Sequence, residues 1–570
     1  METLSEDQIK GEVLDHLGLV SATIGKLGLI EKIDQALPVS ANKGSKVSMG
    51  QRVAAMILNG LGFMNDRLYM FPDFLSNKPV ERLLNAELCA EDFNDDVLGR
   101  ALDEIYWYGS TKLFTEIAFA VGVENNLLGP SVHFDTSSLS VYGEYLETEK
   151  TLTAREKELK KRSVGMVSEE KTQPPIDITY GYSKDHRRDL KQMVINLATT
   201  GASGFPIWME AHSGNASDKK ILLEAASRMK DFCKNMQGIP DFLYVGDSAM
   251  YENCVKKGGE MKWLSRVTET ISEAKRLVQR PEEEFKWEQQ ENGYKITPIM
   301  SNYGGVKQRW LMVSSLQAYK RESVTLDKNI VKEKNELEKA LWHLSHQEFQ
   351  CDKDAYKAAT LCIKKIKYHQ IVFVTSEFKK HETAGRPKKD SQEFKMNYKI
   401  HGTITEDAEK ITLFRREKGR FILATNELDE KKLPDAMLLP EYKGQSTTES
   451  GFRFIKNDAF EVSSVFLKKP ERIEALMMIM TLCLMVYSFA QHHLRSALER
   501  SGETIPNQLK KPTKTPSMAW VCRLFHGVQV LHIQLPTMTQ CLVINLTEIT
   551  RKIIRLFGKQ AEYIYGLATG

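Results

Sequence analysis

The stretch that most constrains the fold is "ALMMIMTLCLMVYSFA", residues 475–490, an uncharged apolar run of sixteen residues. A helix that is apolar on every side can settle only in lipid or inside a large protein core. A spanning helix needs about 17–25 such residues, so the run is read as a buried core helix and no membrane partner is expected. A chain of 570 residues has enough material to surround it, as several domains or as one core enlarged by insertions. Charged residues at 27% and hydrophobic residues at 42% are ordinary for a globular protein. The eight cysteines are scattered and form no CxxC pair, which reads as reduced thiols in a cytoplasmic protein. The start, "METLSEDQIKGE", has neither a basic segment nor an apolar segment of the kind a signal peptide carries.

Around that core helix the chain changes texture several times. Residues 1–125 are predicted mostly helical, with Val53, Met56, Ile57 and Leu61 of "GQRVAAMILNGLGF" on helical spacing. At Leu128 the pattern turns to strands. In "LGPSVHFDTSSLSVYG", Val132 and Phe134 fall on one face, and His133 and Asp135 on the other. "KQMVINLATT", "FPIWMEAHS", the helix "SDKKILLEAASRMKDF", "FLYVGD" and "KWLSRV" complete an α/β pattern with a mixed sheet. From 271 to 420 that pattern is interrupted by strand-like segments and one long charged helix, which reads as an insertion. "RFILATN" resumes the strands. The reading divides the chain into a helical N-terminal region (1–125), able either to bind DNA through a helix in a groove or to pack as a bundle on the next domain, a first core part (126–270), a basic insertion (271–420), a second core part (421–500) and a helical C-terminal region (501–570).

The net charge of +4 is too small to argue for an anionic partner, but its distribution is uneven. Residues 356–420 hold 16 Lys and Arg against 8 Asp and Glu. Within them, Arg386, Lys388 and Lys389 of "GRPKK" have the composition of a short arm that lies in a DNA minor groove. In "EYKGQSTTESGFRFIKND", Tyr442, Glu449 and Lys456 are spaced at steps of seven. Seven residues make about two helical turns, so one continuous helix would align the three as a stripe able to face a metal and a phosphate. Asp135 and Asp247 sit at or near the ends of apolar strands. Convergent carboxylates on rigid elements hold hard divalent cations such as Mg²⁺. On spacing alone the plainer reading prevails: two turn aspartates and a surface glutamate. His343, His346, Cys351 and Cys362 fit no structural-zinc spacing.

The local words shift that balance. "HFDTSSLSVYGEY", "GYSKDHRRDLKQMV", "AHSGNASDK", "LYVGDSAMY" and "TESGFRFIKNDAFEVSSVFLKKPERIEAL" occur in the order found in bacterial insertion-sequence DDE transposases. The chain resembles the superfamily marked by Tyr-x2-Arg-x3-Glu-x6-Lys (insertion sequence 4), in the branch typified by insertion sequence 1634. The motif falls on Tyr442, Gln445, Glu449 and Lys456, with Gln445 standing where the pattern has arginine. Glutamine can hydrogen-bond a phosphate but cannot give the charge-assisted bidentate contact of arginine.

The resemblance implies an α/β fold: an RNase H-like catalytic core with a strand-rich insertion, plus helical N-terminal and C-terminal regions. It implies Asp135, Asp247 and Glu449 as metal ligands for two Mg²⁺, with Mn²⁺ able to substitute. Tyr442, Gln445 and Lys456 would hold DNA phosphates, and one of Trp287, Trp310 and Trp342 in the insertion could stack on a flipped base. The activity implied is cleavage at the ends of the element and transfer of the 3′-hydroxyl to target DNA. The partners are inverted-repeat ends, target DNA and further copies of the chain, in the bacterial cytoplasm at the nucleoid. A metal nuclease that cuts without joining, and a catalytically inactive DNA-binding derivative, are the alternatives.

Overall fold

The computed structural model describes residues 8–567 apart from 39–45, 63–69, 85–87, 143–144, 146–174, 184–185, 202, 235, 258–260, 364–365, 382–393, 457–466 and 536–537. The chain forms two compact units: Met1–Trp263 with Glu441–Gly570, and Leu264–Pro440. The N-terminal helices and the C-terminal region therefore share a unit with the core, and the second unit extends slightly beyond the expected insertion at both ends.

The first unit begins with β1 (Ile9–Val13), followed by α1 (Leu17–Lys26), α2 (Leu29–Ala36), α3 (Met49–Leu61), α4 (Phe71–Ser76), α5 (Val80–Leu84), α6 (Asp95–Tyr108) and α7 (Ser110–Glu124). Next come β2 (Ser131–Val141), β3 (Lys191–Thr200), β4 (Phe205–Ser213), α8 (Asp218–Cys233), β5 (Leu243–Gly246), α9 (Ser248–Lys257) and β6 (Trp263–Arg266), within which the first unit gives way to the second. Within the first unit the strands lie in the order β4-β3-β2-β5. β2 is antiparallel to β3 and parallel to β5, and β3 is antiparallel to β4. Three antiparallel strands followed by a parallel crossover is the RNase H-like order. The alternation read in β2 holds, with Val132 and Phe134 fully buried.

The second unit holds α10 (Ser272–Val278), β7 (Glu288–Gln290), β8 (Tyr294–Ser301), β9 (Gln308–Ser315), α11 (Leu316–Ser345), α12 (Asp352–Ile363), β10 (His369–His381), β11 (Phe394–Glu406), α13 (Ala408–Glu417) and β12 (Arg420–Thr425). β12, β9, β8 and β7 are neighbours in that order, and β10 and β11 form a separate thirteen-residue antiparallel pair. Arg309 ties the unit together internally. Its guanidinium donates to the Glu427 and Leu433 carbonyls and meets Asp435 at 2.6 Å.

α14 (Asp435–Lys443) leads back into the first unit, which continues with α15 (Gln445–Ile455) and α16 (Pro470–Ser501). α16 contains the uncharged run and is long and apolar enough to cross a membrane, yet 78% of its apolar window is buried inside the protein. It packs on α1, α3, α6, α7 and β4, and so forms the axis of this unit's core. A charged contact anchors its start: Arg472 makes two 2.8 Å bonds to Asp103 of α6.

The chain ends with β13 (Ile505–Pro506), β14 (Pro512–Thr513), α17 (Met518–Leu524), β15 (Gln529–Leu535), β16 (Met538–Ile544), α18 (Glu548–Phe557) and α19 (Lys559–Ile564). The C-terminal region carries the expected helices and, with them, a short sheet that no sequence pattern announced. β15 and β16 form a hairpin that β1 joins from the other end of the chain, in the order β1-β15-β16.

Candidate active site

Asp135 lies on β2, and Asp247 one residue beyond β5. The parallel register pairs Ser131 with Leu243 and His133 with Val245. Asp135 lies on β2 and Asp247 at the end of its parallel neighbour, so the backbone brings the two acids to adjacent strands of the sheet. Each also has a local role. Asp135 Oδ1 accepts from the Thr136 amide at 2.8 Å, and Asp247 Oδ1 accepts from the Ala249 amide at 2.9 Å, capping α9.

The face that carries Asp135 and His133 is covered by α15. Thr448 Oγ1 donates to the His133 carbonyl at 3.0 Å and lies 2.7 Å from Thr199 Oγ1 on β3. Gln445 Nε2 donates to the Phe134 carbonyl at 2.9 Å. A Cβ on Gly444 would come within 2.6 Å of the His133 ring, so the start of α15 can approach β2 only with glycine there. Ser131 Oγ donates to Glu441 at 2.6 Å and lies 3.1 Å from His133 Nε2. Burial pushes the His133 imidazole down to about 4, so it is neutral at neutral pH. Glu449, on the turn after Thr448, is exposed.

This geometry breaks the expected stripe. Tyr442 belongs to α14, the helix is interrupted at Gly444, and Lys456 caps the C-terminus of α15. Gly444 itself has right-handed helical angles (φ −54°, ψ −21°), and α14 and α15 are divided at this one turn residue. Gln445 also differs from expectation, since only 8% of its surface is exposed and its amide points into β2 rather than toward a DNA strand. Arg386, Lys388 and Lys389 lie outside the described residues. Trp310 is buried and Trp342 exposed, with the Trp342 ring 4.4 Å from that of His346.

Asp135 and Asp247 offer hard oxygen donors on adjacent strands, the chemistry that Mg²⁺ prefers. Among the described residues no group of three or more His, Cys, Asp and Glu is drawn close enough to hold a metal ion. The pair fits the implied ions, and Glu449 stands on the helix that docks on β2. The residues that sequence reading missed, Ser131, Thr199, Gly444 and Thr448, dock that helix. Small and hydroxylic residues carry no chemical signature of such a role.

The transposase DDE domain family matches residues 166–486, and a domain of unknown function matches residues 9–119. No curated protein matches the chain. Among solved structures, the piggyBac transposase synaptic complex with hairpin DNA aligns with 86% of this chain and 78% of its own, at 10% identity and a TM-score of 0.33.

Proposed function

The chain belongs to the transposase DDE domain family, and from that premise we propose that it cuts the ends of its own insertion sequence and joins the freed 3′-hydroxyls to target DNA. The observation that supports this reading is the parallel pairing of β2 with β5, whose register from Ser131 to His133 leads toward Asp135 and Asp247, together with the docking of the Glu449 helix on β2. Asp135, Asp247 and Glu449 would hold two Mg²⁺ or Mn²⁺. When bound, such ions activate water and stabilise the leaving oxygen of a phosphodiester.

The chain's own residues supply placement. Asp135 and Asp247 are fixed by backbone amides, so they meet a scissile phosphate without first reorganising. Thr448 and Gln445 hold α15 to β2 and thereby set where Glu449 stands. Tyr442 and Lys456, at the two ends of this helical segment, would contact the DNA backbone on either side of the cleavage point. We assign the branch to insertion sequence 4, typified by insertion sequence 1634, on the motif words. The working partners are inverted-repeat ends, target DNA and a second copy of the chain at the nucleoid.

The test measures end binding beside end cleavage and strand transfer in Mg²⁺ or Mn²⁺. Asp135→Asn, Asp247→Asn and Glu449→Gln should each bind ends like the wild type and lose cleavage by about a thousandfold or more. Normal cleavage by any one of them removes that residue from the site. Strand transfer by the wild type separates a transposase from a nuclease that only cuts. Alanine at Arg386, Lys388 and Lys389 should flatten the salt dependence of end binding, because each lost phosphate contact releases fewer counterions. An unchanged slope would leave "GRPKK" without a DNA role.

A further inference from the structure

The three-stranded sheet that joins the two ends of the chain carries a second cluster of reactive groups. In its register Lys10, His532 and Cys541 face one another across β1, β15 and β16. Cys541 Sγ lies 3.1 Å from His532 Nδ1, and His532 Nε2 lies 2.9 Å from Glu12 Oε2. Glu12 is buried, with 8% of its surface exposed, and Lys10 pairs with its other oxygen at 2.8 Å. A carboxylate at Nε2 fixes that nitrogen as the proton donor and leaves Nδ1 to accept the thiol proton. All four residues line a cavity of about 1370 Å³, larger than the roughly 300–1,000 Å³ that suits a drug-sized ligand.

The same cavity contains an internal control. Cys89 also lines it and is also exposed. Its neighbour, however, is a carboxylate: Cys89 Sγ lies 3.2 Å from Asp92 Oδ2. The hydrogen bond to Asp92 pushes the Cys89 thiol up, away from the thiolate. Thiolates react and thiols do not, so two cysteines with equal access to one cavity should differ in chemistry.

We propose that Cys541 is a thiol–disulfide exchange site that takes up half of a low-molecular-weight disulfide into this cavity. His532 Nδ1 accepts the proton from Cys541 Sγ. The resulting thiolate attacks one sulfur of the disulfide, forming a new S–S bond to Cys541 and breaking the old one. The departing thiolate takes the proton back from His532. Cys541 is oxidised, the incoming disulfide is reduced, and no further reagent is needed. Glu12 orients the ring and stabilises the transient imidazolium.

The experiment incubates the full-length chain with oxidised glutathione, and separately with the uncharged 2-hydroxyethyl disulfide, and maps adducts by mass spectrometry against time. Cys541 should be modified at least about tenfold faster than Cys89, because the imidazole beside Cys541 can take the thiol proton whereas the carboxylate beside Cys89 holds it. The preference should vanish in denaturant. His532→Ala should bring the Cys541 rate down toward that of Cys89, and Glu12→Gln should lower it by less. Equal rates at the two cysteines in the folded wild type overturn the proposal without any variant. A folded His532→Ala protein that retains the fast rate at Cys541 also overturns it.

Discussion

Two helices of nearly equal length have opposite relations to their surroundings. α16 has 32 residues and buries eighteen, distributed all around its axis. α11 has 30 residues and buries five: Leu326, Ile330, Leu337, Leu341 and Leu344. Those five recur at three-, four- and seven-residue steps and make one narrow stripe. The other faces of α11 carry charge, including the i,i+4 pairs Lys332–Glu336 and Lys334–Glu338. α16 organises its unit from inside, whereas α11 is held along one edge and presents a surface. The sequence of α11 is free to carry charge, and that of α16 is not.

The sharpest way to break the comparison is to put the same charge into both. Leu482 is fully buried in α16, and Val331 of α11 is 58% exposed. Leu482→Lys should cost at least about 4 kcal/mol and leave little folded protein, because a lysine there has no partner or water. Val331→Lys should stay within about 0.5 kcal/mol of the wild type. Denaturant titrations of the two variants settle it, and similar losses in both would show that α11 is as enclosed as α16. A smaller effect is expected on the stripe itself. Leu341 packs with Leu344, Ala355, Ala359 and Ile400, and Leu341→Ala should cost about 2–3 kcal/mol. Hydrogen exchange should show that loss in α11, α12 and β11, with α16 unchanged.

A third test uses Glu474 of α16, a half-buried acid near the start of the helix. Burial pushes the Glu474 carboxyl up to about 7, against the pull of a hydrogen bond from the Ile176 backbone. Its folded value lies above the unfolded value of about 4.3, so the folded state binds the extra proton. The group therefore costs nothing below about pH 4 and progressively destabilises the protein as pH rises to about 7. Glu474→Gln keeps the shape and removes the titration. It should raise stability by about 2 kcal/mol at pH 8 and by almost nothing at pH 4. A gain independent of pH would mean that the effect comes from packing rather than ionisation.

What the sequence revealed depended on whether the signal was local. The alternation of Val132 and Phe134 against His133 and Asp135 is a property of one strand, and it survives in β2. The uncharged run at 475–490 could be only a core helix or a membrane span, and the core helix is found. Pairing between β1 and β15 joins Ile9 to Ile533, and no local pattern announces a partner so far along the chain. The stripe at Tyr442, Glu449 and Lys456 failed for a related reason. Its spacing is helical, but the helix is divided at Gly444, and a spacing of sevens cannot show where one helix ends and the next begins. Gln445 was read as facing DNA because burial of a polar side chain becomes visible only when its partner, the Phe134 carbonyl, is known.

The smallest effect should come from that glutamine, and it sharpens the picture of how the α16 unit holds its site. Gln445→Ala removes the 2.9 Å bond to the Phe134 carbonyl while leaving the contacts of Thr448 with His133 and Thr199. One hydrogen bond contributes about 1 kcal/mol, so the global fold should persist with a modest loss. The position of Glu449 relative to Asp135 should suffer more than the fold does, because a displacement of about 1 Å at a reacting group can cost about a hundredfold in rate. The expected outcome is end cleavage reduced by about ten- to a hundredfold, with end binding unchanged and denaturation shifted only slightly. Gln445→Glu is the companion variant. It keeps the length but offers the Phe134 carbonyl an acceptor in place of a donor, so it should be at least as impaired as alanine. A Gln445 variant that loses end binding and keeps its cleavage rate on bound ends would return this residue to the DNA-contacting role and take it out of the docking of α15.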